Sequence, residues 1–257
     1  MDGTKRTADR AAPGVEATLR AVFEGIAELR ELAAGVHARA RAAGRAPTTD
    51  DLAAIRPTVL RQLDADDGLR AGTGVIAAPG VLGDAPRWLE WWRRPARGAE
   101  LCPLCVDLDP DSVGAYEYPA AEWFEIPRSS GRRAVVGPYV DYAGTDEYIL
   151  TFAAPVTGDA GFFGVAAADI RATDVERAVL PLLDSADGAP VLLVNASGRV
   201  IASNTPDAIA GSLAPADRSS GTRLPRGPGW EDCAGLPWTL LHPDAGPSPG
   251  TAPCRAP

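Results

Sequence analysis

The chain has 257 residues, with 25 Lys+Arg against 34 Asp+Glu and a formal charge of -9. That balance argues against a nucleic-acid-binding surface, which is basic as a rule, and suits cationic or amine partners better. A Ser-His-Asp triad or a His-based metal site would have to use His37 or His242, the two histidines present, so no catalysis, metal or cofactor is expected.

Residues 1–12 are polar and are expected to be disordered. They lack the apolar stretch of a secretory signal, and no run in the chain approaches the ~18 apolar residues of a membrane span. A cytoplasmic location is therefore expected. Lys5 is the only lysine; the arginine, alanine, glycine and proline content resembles the coding bias of a high-GC bacterium. A long helix is predicted over 13–45. Val15, Leu19, Val22, Ile26, Leu29, Ala33, Val36 and Ala40 recur at alternating spacings of four and three, a seam of about four heptads. At 1.5 Å per residue that helix is about 45 Å long. Two uses of the seam are open: dimerisation, or packing on the chain's own domain.

A second helix is expected after Thr48 or Thr49, carrying Leu52, Ile55, Val59, Leu60 and Leu63, with Pro57 interrupting it. Strands are predicted at 72–79 and 87–94. Residues 95–121 are loop-rich and hold Cys102-Pro103-Leu104-Cys105. A CxxC is a redox pair, half a zinc site, or simply two thiols or a local disulfide. Three strands at 134–142, 148–156 and 162–170, joined by short Gly/Asp turns, make an antiparallel meander. A helix over 172–186, capped by Thr173, follows. Then come a hairpin over 191–203, a loop over 205–232, a strand at 238–241 and a disordered tail, 243–257. The fold class is α+β: a long N-terminal helix and two modules with antiparallel sheets, 46–170 and the smaller 171–242.

Three segments carry a resemblance: Gly137-Pro-Tyr-Val-Asp-Tyr142, Tyr148-Ile-Leu-Thr-Phe-Ala-Ala-Pro-Val156 and Gly161-Phe-Phe-Gly-Val-Ala-Ala-Ala-Asp-Ile170. In this order, with the hairpin Val191 to Ser203 behind them, they resemble the double Cache (PAS-like) sensor domains. The resemblance covers roughly 70–240. It implies a non-catalytic domain that binds a small molecule in its first module and signals through a partner. In the amino-acid-sensing branch an Arg-x-Trp-Tyr segment holds the ligand carboxylate. A Tyr-x-Asp and a strand-ending Asp hold its ammonium. Here the aromatic pair is Trp123-Phe124, the Tyr-x-Asp is Tyr139-Val140-Asp141, and the strand ends in Asp169.

The arginine position is Ala121. Without that fork the carboxylate clamp is missing, unless Arg93, Arg128 or Arg132 reaches in. The resemblance therefore implies a small amine first and an α-amino acid second. Trp91, Trp92, Tyr116 and Tyr118 are further lining candidates. Plainer roles stay open: Trp123 and Phe124 as core aromatics, Asp141 as a turn residue, and Asp169 as a cap of the following helix. Other functions stay open too: a thiol-redox or other enzyme using Cys102 and Cys105, or a scaffold dimerised through the long helix with an empty pocket. Nucleic acid is not expected as a partner; a homodimer through the N-terminal helix is.

Overall fold

The computed structural model describes residues 2–65, 68–142, 144–159, 161–184, 189–214, 219–224, 230 and 233–243. The first helix, α1, runs Asp2–Ala42, so it takes in most of the segment expected to be disordered. Ala11 and Ala12 are buried, and Gly14 lies against Leu182. These are tertiary contacts that a polar composition does not reveal.

Every residue of the predicted seam, from Val15 to Ala40, is at most 3% exposed. The seam packs on strands of its own chain, so it is not free to pair with a second copy as a dimerisation helix would. Thr48 caps α2 (Thr49–Ala53) in a reciprocal pairing with Asp51. Pro57 does not kink a single helix. It falls in the first turn of α3 (Arg56–Ala65), where its missing N–H has no partner to lose.

The larger sheet contains β1 (Arg70–Ala77), β2 (Trp88–Arg93), β3 (Cys102–Pro103), β4 (Arg133–Val140), β5 (Tyr148–Gly158), β6 (Gly161–Arg171) and β10 (Cys233–Ala234). Their order is β10-β4-β5-β6-β1-β2-β3. Side chains alternate between its faces. Val75, Phe152, Ala154, Ala166, Ala168 and Ile170 share a core with α1. Ile76, Trp91, Ala153, Val165 and Ala167 form a second core with Tyr116, Tyr118, Trp123 and Phe124. Apolar residues on both faces are what a strand buried on both sides requires. Buried Glu90 points to the α3 side, where Arg56 donates to both its oxygens (2.8 and 3.1 Å) and Trp92 to one (3.0 Å).

α5 (Ala172–Leu183) leads to a sheet of β7 (Leu192–Val194), β8 (Val200–Ser203), β9 (Ser219–Leu224) and β11 (Trp238–Pro243), in the order β8-β7-β11-β9. Arg171, not Thr173, is the N-cap of α5, with no side-chain cap bond. β9 lies inside the stretch expected to be loop. Its sequence, Ser-Ser-Gly-Thr-Arg-Leu, carries almost no apolar alternation. β10, just beyond that stretch, crosses over and pairs in parallel with β4. The predicted tail after Pro243 lies outside the described residues.

Candidate functional site

The second face of the large sheet is carved by small residues. Gly72 and Gly74 on β1 and Ala167 on β6 share that face, with Gly74 opposite both Trp91 and Ala167. A Cβ at Gly74 would sit 2.1 Å from the Glu90 carbonyl oxygen, and one at Gly72 would sit 2.7 Å from Trp91 Nε1. The glycines thus let the Trp91 indole lie down on the sheet. Over it stands α4 (Glu122–Ser130), a helix for which the sequence carries no expectation. It ends at Gly131 with φ 67°, the left-handed conformation that glycine takes at helix ends. α4 packs on β4, β5 and β6.

Between them is a cavity lined by Ile76, Leu89, Trp91, Leu104, Tyr116, Trp123, Tyr139, Thr151, Ala167 and Asp169. Counted out to its open mouth it holds about 280 Å³ free of atoms, of which about 10 Å³ accepts the centre of a water molecule. That is room for roughly one water, so a larger ligand needs side chains to move.

Five of the nine predicted residues meet here, Trp91, Tyr116, Trp123, Tyr139 and Asp169, whereas Trp92 lies with Glu90 and Arg56 on the α3 side. Tyr139 reaches the cavity because β4 carries a bulge. Val136 pairs with Thr151, but Tyr139 pairs with Ile149, so β4 has one residue more than its partner in between. The extra residue re-aims Tyr139 onto the face of Thr151.

Thr151 is the residue that sequence reasoning missed, although it stands directly opposite Asp169 in the register. Its hydroxyl donates to Asp169 Oδ1 (2.7 Å). Having spent its one proton, it accepts from the Tyr139 hydroxyl (2.8 Å). The relay runs Tyr139, Thr151, Asp169. Asp169 is therefore not a helix cap.

Asp169 keeps some exposed surface and lines the cavity. Burial pushes its carboxyl up to about 8 against the Thr151 hydrogen bond, with the Asp141 and Glu147 charges adding to the rise and Arg93 opposing it. Burial first, and then the Asp141 and Asp169 charges, also hold the Tyr116 phenol well above its usual range.

The other three predicted residues do different work. Phe124 is fully buried and packs edge-on against Tyr118 (5.2 Å) and Phe162 (5.7 Å). It is a core aromatic behind the cavity. The Tyr118 hydroxyl donates to the Ala77 carbonyl (2.8 Å), and burial raises it to about 12; it ties the covering segment to β1. Asp141 is close enough to raise its neighbours, but its carboxylate accepts from the Thr145 N–H (2.9 Å) and hydroxyl (3.2 Å). It holds a turn, the plainer of its two readings, and burial raises its own carboxyl.

Among the described residues no arginine lines the cavity. Arg128 is exposed and bonded to Glu125 (2.7 and 2.9 Å). Arg132 is exposed. Arg93 comes nearest. It shares a smaller adjoining hollow with Asp169 and Glu147, and donates to Glu147 (3.1 Å). Arg171 holds the same Glu147 (2.9 Å). Cys102 and Cys105 are free thiols at the sheet edge, Cys102 half-buried and Cys105 exposed. Leu104 between them lines the cavity, held by its N–H to the Trp91 carbonyl (3.0 Å).

No protein-family model matches the chain, and no curated protein matches it in sequence. Solved structures do match in fold. The extracellular domain of a histidine kinase, mmHK1S-Z3, superposes with TM-score 0.63 at 14% identity, over 94% of this chain and 93% of that one. The ligand-binding domain of the Pseudomonas fluorescens chemoreceptor CtaA, in complex with L-valine, gives 0.61 at 16% identity, over 94% and 96%. That of the Pseudomonas aeruginosa amino acid chemoreceptor PctB, in complex with L-Arg, gives 0.60 at 17% identity, over 93% of each chain. The chain thus has the fold of these ligand-binding and extracellular domains, consistent with the double Cache fold that its strand sequence suggested. The expected cytoplasmic location is overturned, because structures with this fold are extracellular domains. Among the described residues no helix is long and apolar enough to cross a membrane.

Proposed function

We propose that this chain is a sensor domain that binds a small amine in the cavity under α4 and works outside the cytoplasm, as the part of a signalling system that meets the ligand. One observation carries the reading: among the described residues a single carboxylate, Asp169, and no arginine line the cavity, and Asp169 stands among the rings of Trp91, Tyr116, Trp123 and Tyr139. Aromatic faces and a desolvated carboxylate both favour a cation, through ring quadrupole and charge. A carboxylate ligand would enter a site whose near neighbours, Asp141 and Glu147, already raise Asp169. The fold neighbours bind L-valine and L-Arg, which supports a ligand carrying an ammonium. The missing arginine separates this site from one built for the α-carboxylate.

Isothermal titration of the folded chain with a panel of short amines and the corresponding α-amino acids is the test. Amines should bind, α-amino acids should bind more weakly, and Asp169→Ala should abolish both. A folded protein that gives no heat with any amine, or that binds amines equally well after Asp169→Ala, refutes the reading.

A further inference from the structure

Trp91 is 5% exposed and lines the cavity, yet its indole N–H has no hydrogen-bond partner among the described residues. An indole nitrogen can only donate, and a buried donor without an acceptor is costly enough to be rare in folded proteins. The position of this one is well defined. Its Nε1 edge lies over Gly72, and Gly72 stands opposite Asp169 in the register of β1 and β6. The ring therefore extends across the sheet from Trp91 toward the carboxylate on the same face. Ile76, Leu89, Leu104 and Ala167 fill the rest of the lining with apolar surface. The relay from Tyr139 through Thr151 ends on Asp169 Oδ1 and does not involve Trp91.

We propose that Trp91 is a specificity-determining residue whose N–H donates to a neutral oxygen of the ligand. The ligand class is then a short amine bearing a hydroxyl or carbonyl oxygen close to its ammonium, an amino alcohol being the simplest case. The inference rests on the amine reading and deepens it. The ammonium pairs with Asp169, and the oxygen meets Trp91 a few ångströms away along the same sheet face. A neutral oxygen fits better than a carboxylate, because the charged groups facing Asp169 are Asp141, Glu147 and Arg93, and Arg93 already donates to Glu147. The small free volume favours a ligand of few heavy atoms. A site that offers a buried donor discriminates against an analogue lacking the acceptor, since binding that analogue leaves the donor unpaired.

Ethanolamine and n-propylamine are a matched pair, with a hydroxyl in one where the other has a methyl. Isothermal titration of both at pH 8.5 should show the wild-type chain binding ethanolamine at least tenfold more tightly. In Trp91→Phe the preference should vanish or reverse, since the hydroxyl then loses its donor and propylamine is the less costly to desolvate. Should that variant not fold, the Trp91 indole N–H resonance of the wild-type chain serves instead. It should move downfield with ethanolamine and stay in place with propylamine. Two amines bound with equal affinity by the wild type, a preference that survives Trp91→Phe, or an unmoved indole resonance overturns the role of Trp91 while leaving the amine reading intact. Failure of both amines to bind overturns the amine reading, and this inference with it.

Discussion

Amine affinity should rise with pH, and the cause is Asp169. Its carboxyl is pushed up to about 8 by burial, so around neutrality the cavity mostly holds a neutral acid. An ammonium binds the carboxylate form, and the ionised fraction is about 1% at pH 6, about 10% at pH 7 and about 90% at pH 9. Association constants should therefore increase about tenfold from pH 6 to 7 (~1.4 kcal/mol), about fivefold from pH 7 to 8 and less than about twofold from pH 8 to 9. The ligand itself stays protonated through that window, and the other groups facing Asp169 are Asp141, Glu147, Arg93, Tyr116 and Tyr139. Both phenols are held above their usual range and stay neutral. Binding at pH 7 should release close to one proton, which appears as a dependence of the titration heat on the ionisation enthalpy of the buffer. Asp169→Asn should weaken binding and flatten the pH profile. Affinity that is constant from pH 6 to 8, with heats independent of buffer, would refute the assignment of Asp169 as the ammonium partner.

Thr151→Val keeps the shape of the side chain and removes the hydroxyl that lowers Asp169. The midpoint of the binding profile should move above pH 8, and the chain should lose about 1–3 kcal/mol in urea unfolding, because the Tyr139 hydroxyl loses its acceptor. Because Asp169 titrates higher in the folded chain than its ordinary 3.8, its contribution is fully present below about pH 4 and is lost as pH rises through 8. Asp169→Asn should remove that decline from unfolding free energies measured across the interval. Gly74→Ala places a methyl 2.1 Å from a main-chain oxygen, so β1 and β2 must part; a loss of about 1–3 kcal/mol or failure to fold is expected by thermal melt. Arg56→Ala strands Glu90, which is 3% exposed. The half-exposed position of Arg56 limits the cost to about 2 kcal/mol by urea unfolding.

Periodicity made the architecture legible wherever burial is one-sided. The α1 seam, the three-strand meander and the hairpin at 191–203 all show in the apolar pattern, and all are found. α4 does not show, because its one turn of apolar residues, Trp123, Phe124 and Pro127, is too short to establish a period. β9 and β10 are missed for a different reason: they are edge or short strands held by main-chain pairing, which leaves little trace in side chains. At the site, residue type located the carboxylates and rings, but the division of labour between Asp141 and Asp169 depended on geometry. Asp141 sits one residue beyond the end of β4 and is claimed by its own turn. Asp169 sits inside a ladder and has a threonine opposite. The long helix begins earlier than its composition suggests because Ala11 and Ala12 are buried.

The bulge that aims Tyr139 has another neighbour. Asn195, in the turn between β7 and β8, donates from its amide to the carbonyl of Gly137 within that bulge (2.9 Å). The backbone that positions a cavity side chain is thus tethered to the tip of a hairpin in the other sheet, and β10 grips the outer edge of the same strand. A shift of the β4 backbone at this bulge would therefore stretch that hydrogen bond or carry the hairpin with it.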